Sequence, residues 1–335
     1  MSSKPIRWGL LAPGQIGAVM VDAARGAKGG QFTAVASRSA DRARAFAGLH
    51  DVERSHGSYR ELLDDPDVDA VYIALPVSSH SEWTVAALRA GKHVLCEKPL
   101  AVNAAEVTAD FDASDAAGRL CVEGLMWRWH PQISLARSLV ADGAIGTLRS
   151  VRTSLTVQIP PDDIRRSREL GGGAIGDLGC YCVSAVRLFG GKPNEVYATS
   201  HTDDHDVEMR VSAILRHPGY VLSQFDIGFD MSRCDELEII GTDGHIVVTD
   251  PWIGGRAAVD LVTAGKSKRL DVDPAGTFGL TGSEGDVYRI EIETVSAALI
   301  GDRHLEFGRE DAMEQIATLE AVRTSLVTKG PVPVD

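Results

Sequence analysis

Short apolar runs alternate with amphipathic stretches along the first third of the chain. Residues 6–11, 32–36, 69–75 and 93–96 have the length and apolar content of buried strands. Between them, residues 18–25, 40–47, 59–63 and 79–90 have helical spacing, and Gly91 stands just past the last of these as a stop. Buried strands alternating with helices predict a doubly wound parallel sheet covered on both faces. Residues 119–122 add one more strand, and then the pattern changes. Residues 130–142 look helical, and strand-like stretches follow at 148–159, 195–200, 207–215, 220–229, 236–240 and 245–248. In Val207-Glu208-Met209-Arg210-Val211-Ser212 apolar and polar positions alternate, which suits an antiparallel sheet with one face on the core and the other open. The expected division is residues 1–123 and residues 124–335, with the C-terminal helices free to return to the first domain. An open sheet also invites a second copy of the chain, so a homodimer or homotetramer is expected through it.

The junctions of the first domain carry candidate chemistry. Residues 6–11 run into Ala12-Pro13-Gly14-Gln15-Ile16-Gly17 ahead of a helix. Such a turn lets the backbone of Ala12, Gly14, Gln15 and Ile16 approach a pyrophosphate, with the positive end of the helix dipole behind it. An ordinary strand-to-helix turn fits the same residues, because Ala12 stands where the dinucleotide fingerprint has its first glycine. The next strand ends in Ser37-Arg38-Ser39, and no carboxylate lies between Gly30 and Ala40. A carboxylate there would take the ribose 2′-hydroxyl of NAD, whereas Ser37 and Arg38 suit the 2′-phosphate of NADP. Taken alone, Ser39 is a helix cap and Arg38 a solvated charge. Taken with the turn, NADP is favoured, and NAD is the alternative. Leu75 ends another strand, and with Pro76 and His80 just beyond it would face the cofactor's ribose and nicotinamide, although a proline there is also a simple stop signal and His80 a cap neighbour. Glu97-Lys98-Pro99 places a cation at a strand's carboxyl end, where ligands sit in open α/β sheets.

In the second half, Gly171-Gly172-Gly173 leads to Asp177 and Tyr181 on a helix expected to reach Phe189. Four residues apart, carboxylate and phenol would share a helical face and reach one small molecule. A capping aspartate with a buried tyrosine is the plainer account. Trp127 and Arg128 either line the substrate pocket or pack between domains, and Trp252 is a weaker pocket candidate. Arg165, Arg166 and Arg168 look like a solvated charge run. His201-Thr202-Asp203-Asp204-His205-Asp206 has metal-capable side chains but reads as a polar turn between strands.

Composition narrows the classes. The 335 residues, 44% hydrophobic and 24% charged, suffice for two cores without covalent staples. A formal charge of −13 argues against a nucleic-acid surface. The five cysteines, Cys96, Cys121, Cys180, Cys182 and Cys234, are expected to be reduced, and no metal site is expected, since Cys180 and Cys182 would diverge on a helix. No apolar run is long enough to span a bilayer and no signal pattern opens the chain, so a cytoplasmic protein without a membrane partner is expected.

The ordered set formed by the N-terminal turn, Glu97-Lys98-Pro99, the segment from Gly171 to Tyr181 and residues 288–298 resembles the Gfo/Idh/MocA oxidoreductase family over nearly the whole chain. Glu123-Gly124-Leu125-Met126-Trp127-Arg128-Trp129-His130-Pro131 with Asp177-Leu178-Gly179-Cys180-Tyr181 is most similar to its branch of NADP-dependent xylose dehydrogenases and dimeric dihydrodiol dehydrogenases. The resemblance implies a Rossmann domain followed by an α/β domain with a large open, mostly antiparallel sheet. It implies Lys98 as the active-site lysine, Tyr181 as acid/base where other branches have histidine, and Asp177 as its neighbour in the substrate pocket. The implied activity is NADP-dependent hydride transfer to or from a pyranose such as xylose or glucose, or a related cyclic polyol. A trans-dihydrodiol dehydrogenase and a non-catalytic NADP-sensing regulator are the alternatives.

Overall fold

The computed structural model describes residues 4–255, 258–283 and 285–334. The chain divides into two units, residues 1–126 with 285–313, and residues 127–284 with 314–335. The first crossing thus falls after residue 126 rather than 123, and residues 285–313 belong with the first unit.

In the first unit six strands form a parallel sheet in the order β3-β2-β1-β4-β5-β6. They are β1 (Ile6–Leu11), β2 (Gly30–Ala36), β3 (Arg54–His56), β4 (Ala70–Ile73), β5 (His93–Glu97) and β6 (Cys121–Gly124). The helices are α1 (Gln15–Ala24), α2 (Ala40–Leu49), α3 (Tyr59–Leu63), α4 (His80–Arg89) and α5 (Ala104–Ala117). Strand β4 is wholly buried and β1 is buried apart from Arg7, which is why their residues read as mainly apolar runs instead of alternating. The order reverses between β1 and β4, and in open α/β sheets the crevice at such a switch point holds the ligand. A later helix, Gly285–Leu299, joins this unit: Trp8 Nε1 donates to Ser296 Oγ at 3.0 Å, and the Glu293 carboxylate accepts from Lys28 N at 3.0 Å.

The second unit holds helix α6 (Pro131–Ala141) and a nine-stranded, mostly antiparallel sheet. In chain order its strands are β7 (Leu148–Gln158), β8 (Glu195–Thr202), β9 (Glu208–Arg216), β10 (Leu222–Gly228), β11 (Asp230–Gly241), β12 (Gly244–Thr249), β13 (Ala258–Thr263), β14 (Lys266–Asp271) and β15 (Val332–Pro333). Among the described residues of this sheet only β7 and β10 pair in parallel. Helix α7 (Cys180–Gly190) packs on β7 and β10. The alternation in β9 puts Met209, Val211, Ala213 and Leu215 inside and Arg210, Ser212, Ile214 and Arg216 outside, as the sequence pattern requires. Strands β14 and β15 escape the pattern because they are short edge elements with few buried apolar positions, and β13, paired between β12 and β14, escapes it because it is only partly buried. With the Gly285–Leu299 helix as α8, the final helix α9 runs over Arg309–Thr328.

Candidate functional site

In the first unit, β1 ends at Leu11 and Ala12 takes a left-handed φ of 76°. An L-residue is disfavoured there by roughly 1–2 kcal/mol, so Ala12 does the conformational task of the fingerprint's first glycine. Gly14 N then donates to the Ala12 carbonyl at 2.9 Å, and Gly14 becomes the N-cap of α1. Helix α1 therefore starts at Gln15, three residues earlier than the expected 18, and the turn itself forms its first residues. Side chains cap α2, α3 and α5 (Ser39, Ser58 and Asn103), but no side chain caps α1. A Cβ on Gly14 would meet nothing within 4 Å, so the space before these first N–H groups is open. At Gly17 a Cβ would lie 3.0 Å from the Leu10 side chain, so this glycine lets α1 lie close on β1. The turn fits a dinucleotide pyrophosphate on all three counts.

At the end of β2, Ser37 is buried and its hydroxyl accepts from Ser39 N at 3.3 Å, while Arg38 is exposed. Burial raises the Tyr59 phenol above its usual range, and the positive charges of Arg38 and Arg42 oppose that rise. Arg42 is thus a second cation at this corner. It was not picked out from the sequence, since on a helix surface it looks like any solvated arginine; its place in the first turn after Ser37-Arg38-Ser39 is the one signal that marks it.

The carboxyl ends of β4 and β5 are linked by side chains. The buried Tyr72 hydroxyl donates to the Glu97 carboxylate, and burial, with that carboxylate beside it, holds the phenol well above its usual pKa. Glu97 also accepts from Lys98 N at 3.3 Å, and the half-buried Lys98 follows with a cis bond to Pro99. Leu75 and Pro76 lie half-buried in the turn after β4. His80 is 1% exposed, with one ring nitrogen 2.8 Å from the Leu75 carbonyl and the other 2.9 Å from that of Pro99. Its ring is therefore committed to the backbone of the two turns rather than presented to a cofactor.

In the second unit, Tyr181 is the second residue of α7, which follows directly on a π-helical turn, Ile175–Gly179. The single α-helical face expected for Asp177 and Tyr181 is interrupted there, since Gly176 and Gly179 weaken α-helical preference and the turn widens. Asp177 meets Arg165 Nη1 at 3.4 Å. Tyr181 lies edge-on to Trp252 (ring centroids 5.6 Å apart), and Trp252 in turn lies edge-on to Trp127 (5.4 Å). Trp252 Nε1 donates to the Ser154 carbonyl on β7 at 3.1 Å, and Gln132 Nε2 donates to the carbonyls of Asp250 and Pro251, fixing the loop that carries Trp252. Trp127 is fully buried and Arg128 nearly so, its Nε donating to Ser184 Oγ at 2.7 Å. Both belong to the interior that supports Tyr181. Trp252, at 1% exposure, does the same.

The arginines before the glycine segment are each paired with aspartate, and of the three Arg168 alone stays largely in solvent as expected. Arg165 holds Asp163 and Asp177, Arg166 meets Asp203 at 3.1 Å, and Arg168 meets Asp206. The expected polar turn is confined to residues 203–206, since β8 takes in 201 and 202, and the Asp203 carboxylate accepts from His205 N and Val207 N. Among the described residues no three His, Cys, Asp or Glu side chains converge as a metal site would need, all five cysteines are free, and no helix is long and apolar enough to cross a membrane. Burial lifts the thiols of Cys96, Cys121 and Cys182 far above neutrality, so they are inert as nucleophiles.

Fold and turn together define a dinucleotide-binding class of protein with a phenol set on an aromatic platform in its second unit. Residues 6–125 match the oxidoreductase family with an NAD-binding Rossmann fold, and residues 133–247 match the GFO/IDH/MocA C-terminal domain. The chain belongs to the GFO/IDH/MocA family of oxidoreductases. It is 35% identical to a D-xylose 1-dehydrogenase (NADP(+)) of Haloferax volcanii, with 98% of this chain and 99% of that one covered. It is 33% identical to trans-1,2-dihydrobenzene-1,2-diol dehydrogenase of Bos taurus over 84% of this chain and 85% of that one. A 3-ketoreductase from Actinomadura kijaniata, solved with NADP and TDP-benzene, superposes with a TM-score of 0.85 at 30% identity, covering 96% of this chain and 98% of that one.

Proposed function

We propose that the chain is an NADP-dependent dehydrogenase that moves a hydride between the nicotinamide and a sugar, a pyranose such as xylose or glucose, or a related cyclic polyol. The observation that carries this reading is Tyr181 on its Trp252 support, in a chain 35% identical to a xylose dehydrogenase along 98% of its length. NADP is the cofactor, held at the pyrophosphate by the turn Ala12, Gly14, Gln15 and Ile16 and at the 2′-phosphate by Ser37, Arg38 and Arg42. Arg38 just after β2, Arg42 in the first turn of α2 and the lack of a carboxylate between Gly30 and Ala40 support the phosphate-bearing form over NAD.

When bound, NADP supplies the hydride acceptor or donor. Each hydride that leaves carbon requires a proton to leave the adjoining oxygen, and Tyr181 is assigned that proton. A free phenol titrates near ~10, and an ammonium group within about 4–6 Å lowers that value. Lys98 is assigned this task and also holds the substrate oxygen in place. Tyr72 and Glu97 fix the backbone from which Lys98 projects. Asp177, restrained by Arg165, is assigned a substrate hydroxyl. Leu75 and Pro76 lie on the cofactor side of the β4 turn.

Identity to the bovine enzyme favours one second reading, in which the substrate is an arene trans-dihydrodiol and the same Tyr181 and Lys98 act. Incubation with NADP+ and a panel of pyranoses, inositols and arene dihydrodiols, followed by the absorbance of reduced nicotinamide, separates the two. The Tyr181→Phe variant should bind NADP nearly as the parent does and turn over about two to four orders of magnitude more slowly. Undiminished turnover removes Tyr181 from the chemistry, and silence with every polyol and diol transfers the chain to the cofactor-sensing class. A homodimer or homotetramer through the open sheet belongs to the same proposal. It is supported by Tyr197, Ile214 and Leu222, which stand 45%, 54% and 50% exposed on neighbouring strands of that sheet.

A further inference from the structure

The ring of His80 faces two acceptors. Its nitrogens lie 2.9 Å from the Pro99 carbonyl and 2.8 Å from the Leu75 carbonyl, and neither oxygen can donate. A neutral imidazole has one N–H, so it can satisfy one of the two oxygens and must set a lone pair against the other. Only the imidazolium, with two N–H groups, makes both bonds. The two carbonyls belong to the turns that follow β4 and β5, and the second adjoins Lys98.

We propose that His80 is a positioning residue for Lys98, its imidazolium donating to both carbonyls at once and so strapping the β4 turn to the turn that carries the lysine. The inference rests on the assignment of Lys98 to the reaction. When the proton leaves, one bond is given up and the two turns are no longer tied to each other through the ring. The surroundings decide where that happens. Burial, and then the Lys98 ammonium, draw the pKa below that of an ordinary histidine, while the bonded carbonyls of Pro99 and Leu75 push it back up. On α4 the neighbouring Glu82 is exposed, and on α5 Asp110 is engaged by Ser81 Oγ at 2.7 Å, not by the ring. On β5 the Cys96 thiol is held neutral by burial. The strap is therefore complete on the acid side and is lost as pH rises through the folded-state pKa of His80.

Two measurements test this. In the intact protein labelled with ¹⁵N-histidine, two-bond proton–nitrogen spectra report directly how many protons the ring carries. They should show a doubly protonated ring at low pH that becomes a single tautomer as pH rises. In the parent and in Asp110→Asn, which removes the other nearby titration, kcat for the reductive direction should fall across that same pH step by about threefold to tenfold, the scale of a small loss of alignment. In His80→Gln the step should vanish, with kcat low throughout and the dissociation constant for NADP changed much less than kcat. A ring that stays a neutral single tautomer from pH 5 to 9 overturns the proposal even if no variant folds. So does a ring that titrates without any step in kcat, or a His80→Gln variant with the parent's pH profile. The Lys98 assignment fails separately, if Lys98→Met keeps full turnover while the ring spectra stand as expected.

Discussion

Replacing Asp110 by asparagine should make the first unit more stable at neutral pH and leave it little changed in acid. Asp110 lies on α5 with no exposed surface, one oxygen accepting from Ser81 Oγ and the other, Oδ2, without a hydrogen-bond partner. Burial lifts its carboxyl from 3.8 to about 7, with Ser81 opposing the rise and Glu106 adding to it. The folded-state pKa is thus above the unfolded one, so the native state binds the proton more tightly. Stability from this group is complete below the unfolded value and declines as pH climbs toward about 7. At ~1.4 kcal/mol per unit the shift sets a ceiling of about 4 kcal/mol, and relaxation around the charge reduces this to ~2 kcal/mol. Native-state hydrogen exchange of peptides from α4 and α5, read by mass spectrometry at pH 5, 6, 7 and 8, confines the measurement to the right unit of a two-unit chain. The advantage of Asp110→Asn should grow from pH 5 to 7 and then level off. An advantage that does not change with pH would refute the assignment of a neutral carboxyl to this site.

The cation pair at the end of β2 gives a second outcome: Arg38→Ala should weaken NADP more than NAD in fluorescence titrations, and Arg42→Ala should do the same to a smaller degree, whereas equal losses would remove the 2′-phosphate assignment. Trp252→Ala should lower stability by about 3–5 kcal/mol in thermal or denaturant unfolding. Trp252→Phe should keep the fold yet reduce kcat, since Tyr181 loses part of its edge contact and the bond to the Ser154 carbonyl disappears. Ala12→Gly should be neutral or stabilising by about 0.5 kcal/mol in Tm-derived values, because relief at a left-handed φ exceeds the added chain entropy. If the open sheet joins copies of the chain, Ile214→Asp should lower the mass seen in sedimentation, and an unchanged mass would place the interface elsewhere.

Much of the first unit was legible because buried parallel strands declare themselves as apolar runs, and the ends of α2 and α3 follow from local rules: Ser39 and Ser58 accept from Arg42 N and Glu61 N. What the sequence hid depended on contacts distant along the chain. The return of α8, expected as an option for the C-terminal helices but not located, rests on Ser296 reaching Trp8, a contact that nothing local to residue 296 announces. Arg166 and Arg168 looked solvated because their aspartate partners lie 37 and 38 residues away. Trp252 drew little notice because its worth comes from Tyr181 and Trp127, brought beside it only by the folding of the sheet. The π-helical turn was equally silent, since a glycine-rich helix start has no periodicity that separates it from an α-helical one.

The arginine pairs give the glycine segment an anchorage of a different nature from the aromatic support of the phenol. Arg168 and Asp206 are 70% and 73% exposed, so added electrolyte screens that contact. Trp127 and Trp252, shut away from water, feel no such screening. Brine should therefore loosen the chain just ahead of the π-helical turn while the indoles stay put, making ionic strength a dial that acts on one flank of Tyr181 and spares the other.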